Sequence, residues 1–273
     1  MPEKRPTVSI VIPAYNEEST IRGCLLAAIM QTVTATEIIV VNNKSTDATA
    51  EIVKTIQVEH PDANLIYTEQ NESQGITPTR NFGFNLAKGD VIGRIDSDSV
   101  IEPNWVEQVQ KAFQDETVAA ATGPVLYYDM PLRRFGLKAD DRVRRMINKL
   151  TRDFHFLFGS NMAIRRTAWE EIRDETCLDK EDELHEDVDL SVHLAEHKLK
   201  VVYVSAMVSG MSARRLEDSP RDYAFYVRRF ERTYKKHGLT SPRLKAPMIV
   251  FFAIYPFLKP VRAIRKRKEK KAA

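Results

Sequence analysis

Two aspartates separated by a single residue, Asp96 and Asp98, are the side chains in this sequence best suited to chemistry on a charged substrate. They follow residues 92–95, which have the composition of a buried strand, and precede residues 103–105, which open a helix. Carboxylate oxygens are hard ligands that suit Mg²⁺ or Mn²⁺. Open α/β sheets bind their ligands at the carboxyl ends of strands. The pair therefore predicts a divalent cation held against a diphosphate, and transfer of a group from a nucleotide diphosphate.

A second acidic pair, Glu186 and Asp187, lies in an acid-rich run over residues 179–189. One interpretation is a solvated helix start, where acids are favoured by the helix dipole. The other is a catalytic carboxylate, because a hydroxyl is a poor nucleophile until a base takes its proton. The residue types alone leave both open.

The elements that must position these acids alternate along the first half of the chain. Strands are predicted at residues 8–12, 37–41, 63–67, 92–95 and 118–122, with helices at about 16–31, 45–56 and 77–87. Such alternation is typical of an α/β fold with a mostly parallel sheet covered on both faces. The second half predicts helices at 133–152, 190–197 and 221–237, and strands at 158–164 and 201–204.

Length and charge limit the class of protein. The chain has 273 residues, enough for one large domain, which we place at residues 1–240, followed by an appendage at 241–273. No signal peptide is expected at the start, and no apolar run reaches the ~18 residues that span a bilayer. Two distant cysteines indicate reduced thiols in a cytoplasmic protein.

Five segments, taken in order, resemble the family 2 glycosyltransferases, which have the GT-A fold. The segments are VIPAYNEE at 11–18, NNKSTD at 42–47, residues 75–83, GSNM at 159–162 and EDVD at 186–189. Each is weak alone, whereas the ordered set, over residues 7–204, is specific. The resemblance implies a Rossmann-like sheet and an inverting hexosyltransferase that takes a UDP- or GDP-linked sugar.

The resemblance also implies a role for each matching position. Asp98 would bind Mn²⁺ or Mg²⁺, Asp96 would contact the ribose and metal-bound water, and Asp187 would be the general base with Glu186 beside it. The implied nucleotide pocket consists of Pro13, Ala14, Tyr15, Glu17, Asn42, Asn43, Arg80 and Asp96. The acceptor side is assigned to Gly159, Asn161, Arg214, Arg215 and Arg229.

Two departures from the family pattern affect specificity. Asn42 stands where the family usually has an aspartate that accepts from the ring N–H of the base, and an amide can also donate. Processive relatives carry a Q-x-x-R-W motif, of which only Arg229 matches here. This argues against a synthase of long polymers.

The C-terminal appendage predicts contact with a membrane surface. From residue 259 onward the chain has eight basic residues and one acid, a net charge of +7, which leaves −4 for the rest. The preceding apolar segment, 246–258, is expected to be broken by Pro247 and Pro256 and to enter the interface of an anionic membrane. The alternative is a packed C-terminal helix with a basic end. If the appendage contacts a membrane, the acceptor is expected to be a lipid-linked sugar or glycolipid, as in synthesis of cell-envelope glycans.

Two other functions remain open at this point. A sugar nucleotidyltransferase would need a glycine-rich phosphate loop, which residues 13–16 do not provide. A non-catalytic nucleotide-sugar binder or membrane scaffold would keep Asp96 and Asp98 and would not need Asp187. Nucleic acid is not expected as a partner, since the body is acidic and has no recognised binding module.

Overall fold

The computed structural model describes residues 5–151, 154–179 and 183–272, with side chains to residue 268. Its strands are β1 (Val8–Ala14), β2 (Glu37–Asn42), β3 (Leu65–Glu69), β4 (Val91–Arg94), β5 (Val100–Ile101), β6 (Val118–Thr122), β7 (Val125–Tyr127), β8 (Met162–Arg165), β9 (Lys200–Tyr203) and β10 (Ser209–Met211). Its α-helices are α1 (Ile21–Ile29), α2 (Thr49–Glu59), α3 (Ile76–Leu86), α4 (Trp105–Ala112), α5 (Arg133–Thr151), α6 (Arg166–Ile172), α7 (Glu186–Glu196), α8 (Pro220–Lys236) and α9 (Ala246–Ala272). Short 3₁₀ helices occupy Pro61–Ala63, Arg214–Glu217 and Pro242–Lys245.

The central sheet has the strand order β3-β2-β1-β4-β8-β6-β9. Pairing is parallel from β3 through β4 and between β6 and β9, and β8 runs antiparallel to both of its neighbours. The predicted α/β class with a mostly parallel sheet is therefore confirmed. Because Ala14 pairs with Asn42 and Val11 with Arg94, the carboxyl ends of β1, β2 and β4 share one edge.

Helices cover both faces of this sheet, as the alternation predicts. Alternate strand residues pack on one face against α1, α2 and α4, and on the other against α3, α6 and α7. Trp105 of α4 and Trp169 of α6 are the largest fully buried side chains of the two faces. The two cores fix the strands rigidly beneath the edge that carries the acids.

A three-stranded sheet of order β5-β10-β7 is absent from the predicted pattern. Its strands have only two or three residues, too few for the alternation that reveals a strand. β5 begins directly after Ser99, and the turn Arg214–Glu217 follows β10. This small sheet therefore brings the segment after Met211 back over Asp98.

Several predicted boundaries are wrong. Helix α1 begins at Ile21 rather than near residue 16, and β3 occupies Leu65–Glu69 rather than residues 63–67. β1 continues to Ala14 because Pro13 still pairs with β2, and β8 begins only at Met162. Helix α7 begins at Glu186 rather than at residue 190, so both acids of the pair lie in its first turn.

The C-terminal segment also differs from its prediction. Helix α9 continues through Pro256 and Pro260, because side chains hold it along α8: the rings of Tyr255 and Tyr223 stack 3.9 Å apart. Among the described residues, Pro242–Lys268 is long and apolar enough to cross a membrane by length and composition. The prediction that no segment reaches this length is therefore wrong.

The contact between β4 and α4 can be tested at Gly93. A Cβ at this position would lie 2.5 Å from the indole of fully buried Trp105, so Gly93→Ala forces the ring or the strand to move. We expect a loss of about 1–3 kcal/mol in the free energy of unfolding. The control is Gly23→Ala in α1, where no atom lies within 4 Å, which should be neutral or stabilising. Equal effects of the two variants in urea melts would contradict this packing.

Candidate active site

Three carboxylates, from Glu17, Asp96 and Asp98, meet beyond the ends of β1 and β4. Asp98 is 4% exposed, and its Oδ2 lies 3.3 Å from Nε of Arg214. The same guanidinium donates two hydrogen bonds to Glu17, at 2.7 and 3.1 Å. Arg214, which the sequence assigned to the acceptor side, therefore lies within the acidic group.

The carboxylates of this acidic group repel one another. Burial, followed by the charge of Asp96, raises the pKa of Asp98 to about 7, although Arg214 opposes this shift. A buried carboxylate that gains a proton so easily is stabilised by additional positive charge. The donor set, Asp96 and Asp98 with oxygen atoms only, fits a hard divalent cation.

Arg94 is a functional candidate that sequence reasoning missed. Its side chain is buried at the end of β4 and joins two acids, with 2.7 Å to Oδ1 of Asp96 and 3.2 Å to Oε1 of Glu186. A charged residue ending an otherwise apolar strand was the available signal. Arg94 connects the carboxyl end of β4 with the first turn of α7.

Arg80 holds Glu186 from the other side. This fully buried guanidinium pairs with the Glu186 carboxylate and donates to the Glu186 carbonyl at 2.9 Å. It also donates to Oδ1 of Asn81 at 2.7 Å. The carboxylate of Glu186 is thus committed to two buried cations, Arg80 and Arg94. Nucleotide contact by Arg80 stays a prediction, since its described contacts lie within the protein.

Asp187, by contrast, has no cation in direct contact among the described residues. Its Oδ2 accepts a hydrogen bond from the amide of Gly159 at 2.8 Å, and Oδ1 accepts from Val188. Burial, followed by the charge of Glu186, raises the pKa of Asp187 to about 6. A carboxylate with this pKa suits proton abstraction near neutral pH.

Gly159 leaves the space that this arrangement needs. A Cβ there would lie 1.9 Å from Nη1 of Arg94 and 2.8 Å from Oε1 of Glu186. Any larger residue would therefore separate the ion pair between them. The position serves the site through its backbone N–H and its lack of a side chain.

Aromatic and basic side chains surround Asp187 on the outer side. Arg215 lies over the Tyr226 ring at 4.4 Å, and Arg229 lies 5.8 Å from the same ring. His185 packs edge-on to that ring, and burial, followed by the charge of Arg229, lowers its pKa to about 3, so the imidazole stays neutral. An open cavity of about 480 Å³ beside them is lined by Arg214, Arg215, Glu217 and Asp218.

The implied nucleotide residues gather at the ends of β1 and β2. Pro13 and Ala14 are buried in the sheet edge, whereas the Tyr15 ring is exposed. The amide nitrogen of Asn42 donates to the Tyr67 hydroxyl at 3.0 Å, and that hydroxyl donates to Glu69. The carbonyl oxygen of Asn42 accepts from the Ser45 amide at 3.3 Å, and its second lone pair can accept from another donor.

Asn43 and Asn161 each make several side-chain hydrogen bonds to the protein backbone. Asn43 ties the loop after β2 to Gln70, Ser73 and Gly75. Asn161 is fully buried, accepts from the Trp105 indole and donates to two backbone carbonyls. Acceptor binding by Asn161 would require this network to open. Both residues shape the walls behind the site.

Solved structures with the same fold bind nucleotide sugars. A mannosyltransferase from Pyrobaculum calidifontis, described in complex with GDP-Man and Mn²⁺, aligns over 100% of this chain and 77% of its own, with a TM-score of 0.67 and 20% identity. TarS from S. aureus, in complex with UDP-GlcNAc, aligns over 81% of this chain and 64% of its own, with a TM-score of 0.57 and 17% identity. These likenesses confirm the GT-A fold.

Sequence relatives agree with the folds. The chain is 37% identical over 116 residues to glycosyltransferase GlyA of Streptococcus pneumoniae, and 37% identical over 115 residues to chondroitin synthase of Pasteurella multocida. Each match covers 42% of this chain and only 16% and 12% of the respective relative. The model of glycosyl transferase family 2 matches residues 9–173, which end before α7. The chain therefore belongs to glycosyl transferase family 2.

Proposed function

We propose that this protein is an inverting, metal-dependent hexosyltransferase whose general base is Asp187. The observation that carries this proposal is the buried path Asp96–Arg94–Glu186, which fixes the donor-side acids relative to the helix turn that bears Asp187. Two of these charges come from β4 and its loop, and one from α7. In the proposed enzyme, these ion pairs would hold the donor side and the acceptor side at a fixed separation.

The proposed reaction is a single displacement. The acceptor hydroxyl donates its proton to the Asp187 carboxylate while its oxygen attacks the anomeric carbon of the donor sugar. The bond between that carbon and the diphosphate oxygen breaks, and its electrons leave with the nucleoside diphosphate. Because the base lies on the side opposite the leaving group, the configuration inverts. Glu186 positions the turn, because its carboxylate is held by two buried guanidiniums.

Asp98, with Asp96 beside it, would hold Mn²⁺ or Mg²⁺. A divalent cation supplies neutralisation of the charge that grows on the departing diphosphate. Arg214, half-exposed and in contact with Asp98, would pair with the negative charge of the departing diphosphate. The residues proposed for the nucleotide are Pro13, Ala14, Tyr15, Glu17, Asn42, Asn43, Arg80 and Asp96.

The base of the nucleotide meets a defined partner in Asn42. Its carbonyl oxygen, oriented by Tyr67, can accept from the ring N–H of uracil or of guanine. This supports a UDP- or GDP-linked donor, as in the structures of similar fold in complex with GDP-Man and with UDP-GlcNAc. A nucleotidyltransferase is disfavoured because no glycine-rich loop follows β1.

The acceptor is proposed to be a lipid-linked sugar or glycolipid at the cytoplasmic face of a membrane. Helix α9 leaves Ile249, Phe252, Phe257 and Ile264 exposed, and Leu132 and Phe135 at the start of α5 are exposed as well. Polar contacts of Lys259 with Asp218 and of Arg262 with Glu217 hold the helix against the domain. Those contacts place polar groups of the domain along the helix. Because polar groups are excluded from the hydrocarbon core of a membrane, the helix cannot cross it while these contacts exist. We therefore propose that α9 lies on the membrane surface.

The donor and the metal are tested together. We expect nucleoside diphosphate release from UDP- or GDP-sugars to require Mn²⁺ or Mg²⁺, and calorimetry with UDP against GDP to identify the base. Asp98→Asn should lower kcat by about 100-fold or more, because it removes charge stabilisation at the leaving group. Asp62→Asn, at an exposed position, is the control. Full release in EDTA would refute metal dependence.

The general base is tested by Asp187→Asn. We expect turnover to fall by about 10²–10⁴-fold while calorimetry shows unchanged nucleotide affinity. Asp174→Asn, at an exposed acid, should keep full activity. Retained turnover in Asp187→Asn would favour the non-catalytic role of this acid and remove the proposed mechanism.

The same base predicts the pH profile. Only ionised Asp187 accepts a proton, so kcat/KM of the unmodified protein should decrease below pH about 6, by about tenfold for each pH unit. Residual activity of Asp187→Asn should lack this acid limb. An identical acid limb in both proteins would assign the titration to another group.

Membrane binding is tested by substitution, because deleting residues 246–273 would uncover Tyr223 and Phe230 of the core. Ile249→Ser combined with Phe257→Ser should weaken binding to anionic vesicles by about 100-fold, since two exposed apolar side chains no longer enter the interface. Val58→Ser, at an exposed apolar position of α2, is the matched control. Equal vesicle binding by both variants would contradict the proposed face.

A further inference from the structure

Four side chains with metal-binding atoms meet beside α7. They are Cys177 from the segment after α6, Asp189 and His193 from α7, and His237 at the end of α8. Their ligand atoms all lie within 4.8 Å of one another. Asp189 and His193 are buried, and Cys177 and His237 are partly buried. Three separate segments thus contribute a thiol, a carboxylate and two imidazoles to one small volume.

The separations suit a tetrahedral zinc ion. Oδ1 of Asp189 lies 2.8 Å from Nε2 of His237 and 3.6 Å from Nε2 of His193. Sγ of Cys177 lies 3.9 Å from Nε2 of His237. Ligand atoms bound to a tetrahedral zinc are roughly 3.3–3.8 Å apart, given bonds of about 2.0–2.3 Å. Small rotations of the side chains therefore suffice to form the site.

The orientation of His193 is an independent observation. Its Nε2 is buried and makes no hydrogen bond of normal length among the described residues, since Oδ1 of Asp189 lies 3.6 Å away. Its Nδ1 lies 3.1 Å from Oε2 of Glu196. Histidines that bind zinc typically donate their other ring N–H to a carboxylate in this way. A buried imidazole nitrogen left without a partner is unfavourable unless something accepts its lone pair.

We propose that Cys177, Asp189, His193 and His237 bind one structural Zn²⁺. All four ligand positions come from the protein, which is the arrangement of structural rather than catalytic zinc. Asp189 also accepts a hydrogen bond from the Cys177 amide at 3.0 Å, so part of the frame exists without metal. The ion ties the end of α8 and the segment after α6 to the first turns of α7. It does so independently of the function of Asp187.

The test is the zinc content and cobalt spectrum of the untagged full chain under reducing conditions. We expect about one zinc per chain by mass spectrometry of metals. After removal of zinc, Co²⁺ should give tetrahedral absorption bands and a thiolate-to-cobalt charge-transfer band. Removing zinc should lower the thermal midpoint by on the order of 5 °C. A chain that contains no zinc and gives no such cobalt spectrum would overturn the proposal.

Variants distinguish this site from its neighbours. Cys177→Ser should abolish the charge-transfer band and lower zinc affinity by at least 100-fold, and His237→Gln should lower that affinity to a similar extent. His197→Gln, at a partly exposed histidine of the same region that pairs with Glu171 and Glu175, should keep full zinc content, as should Asp98→Asn. Zinc that survives in Cys177→Ser would instead indicate binding by Glu175, His193 and Glu196, and would overturn the proposal. Should the variants fail to fold, the cobalt spectrum of the unmodified chain still decides.

Discussion

A line of alternating charges runs through the interior of this protein, from Asp96 through Arg94 and Glu186 to Arg80. Each guanidinium in it is almost completely buried, and each acid contacts at least one of them. Ions removed from water are stable only when every charge is compensated, and the loss of one partner is far more costly than the loss of a surface pair. The relative position of β4, α3 and α7 is therefore set by charge as much as by apolar packing.

The same ion pairs distinguish the environments of two adjacent acids. Glu186 and Asp187 are neighbours in the first turn of α7, yet only Glu186 contacts guanidiniums. Asp187 instead accepts hydrogen bonds from backbone N–H groups, and burial raises its pKa to about 6. Gly159 makes both environments possible, because it donates to one acid and leaves room for the ion pair of the other. Two neighbouring acidic residues thus have different hydrogen-bond and ion-pair partners, and we assign them different roles for that reason.

Much of the fold could be predicted from local pattern, whereas the connections within the site could not. The strands β1 and β2 have continuous β-branched and apolar residues, and Asp96 and Asp98 follow a strand directly, so their location is a local property. The role of Arg94 depends on a partner in a distant helix, which no local period reveals. The same holds for Asn161, whose amide is satisfied by Trp105 and two remote carbonyls. The small second sheet has strands too short to leave a signal, and α9 persists through two prolines only because α8 supports it.

The turn Arg214–Glu217 joins two regions that are otherwise distant along the chain. Its first residue contacts Glu17 and Asp98, and its last residue pairs with Arg262 of α9. A rotation of α9 about its own axis would pull on Glu217 and, through one turn of 3₁₀ helix, on the guanidinium beside Asp98. The C-terminal helix and the acids around Asp98 are therefore connected through a single turn, by ion pairs at both of its ends.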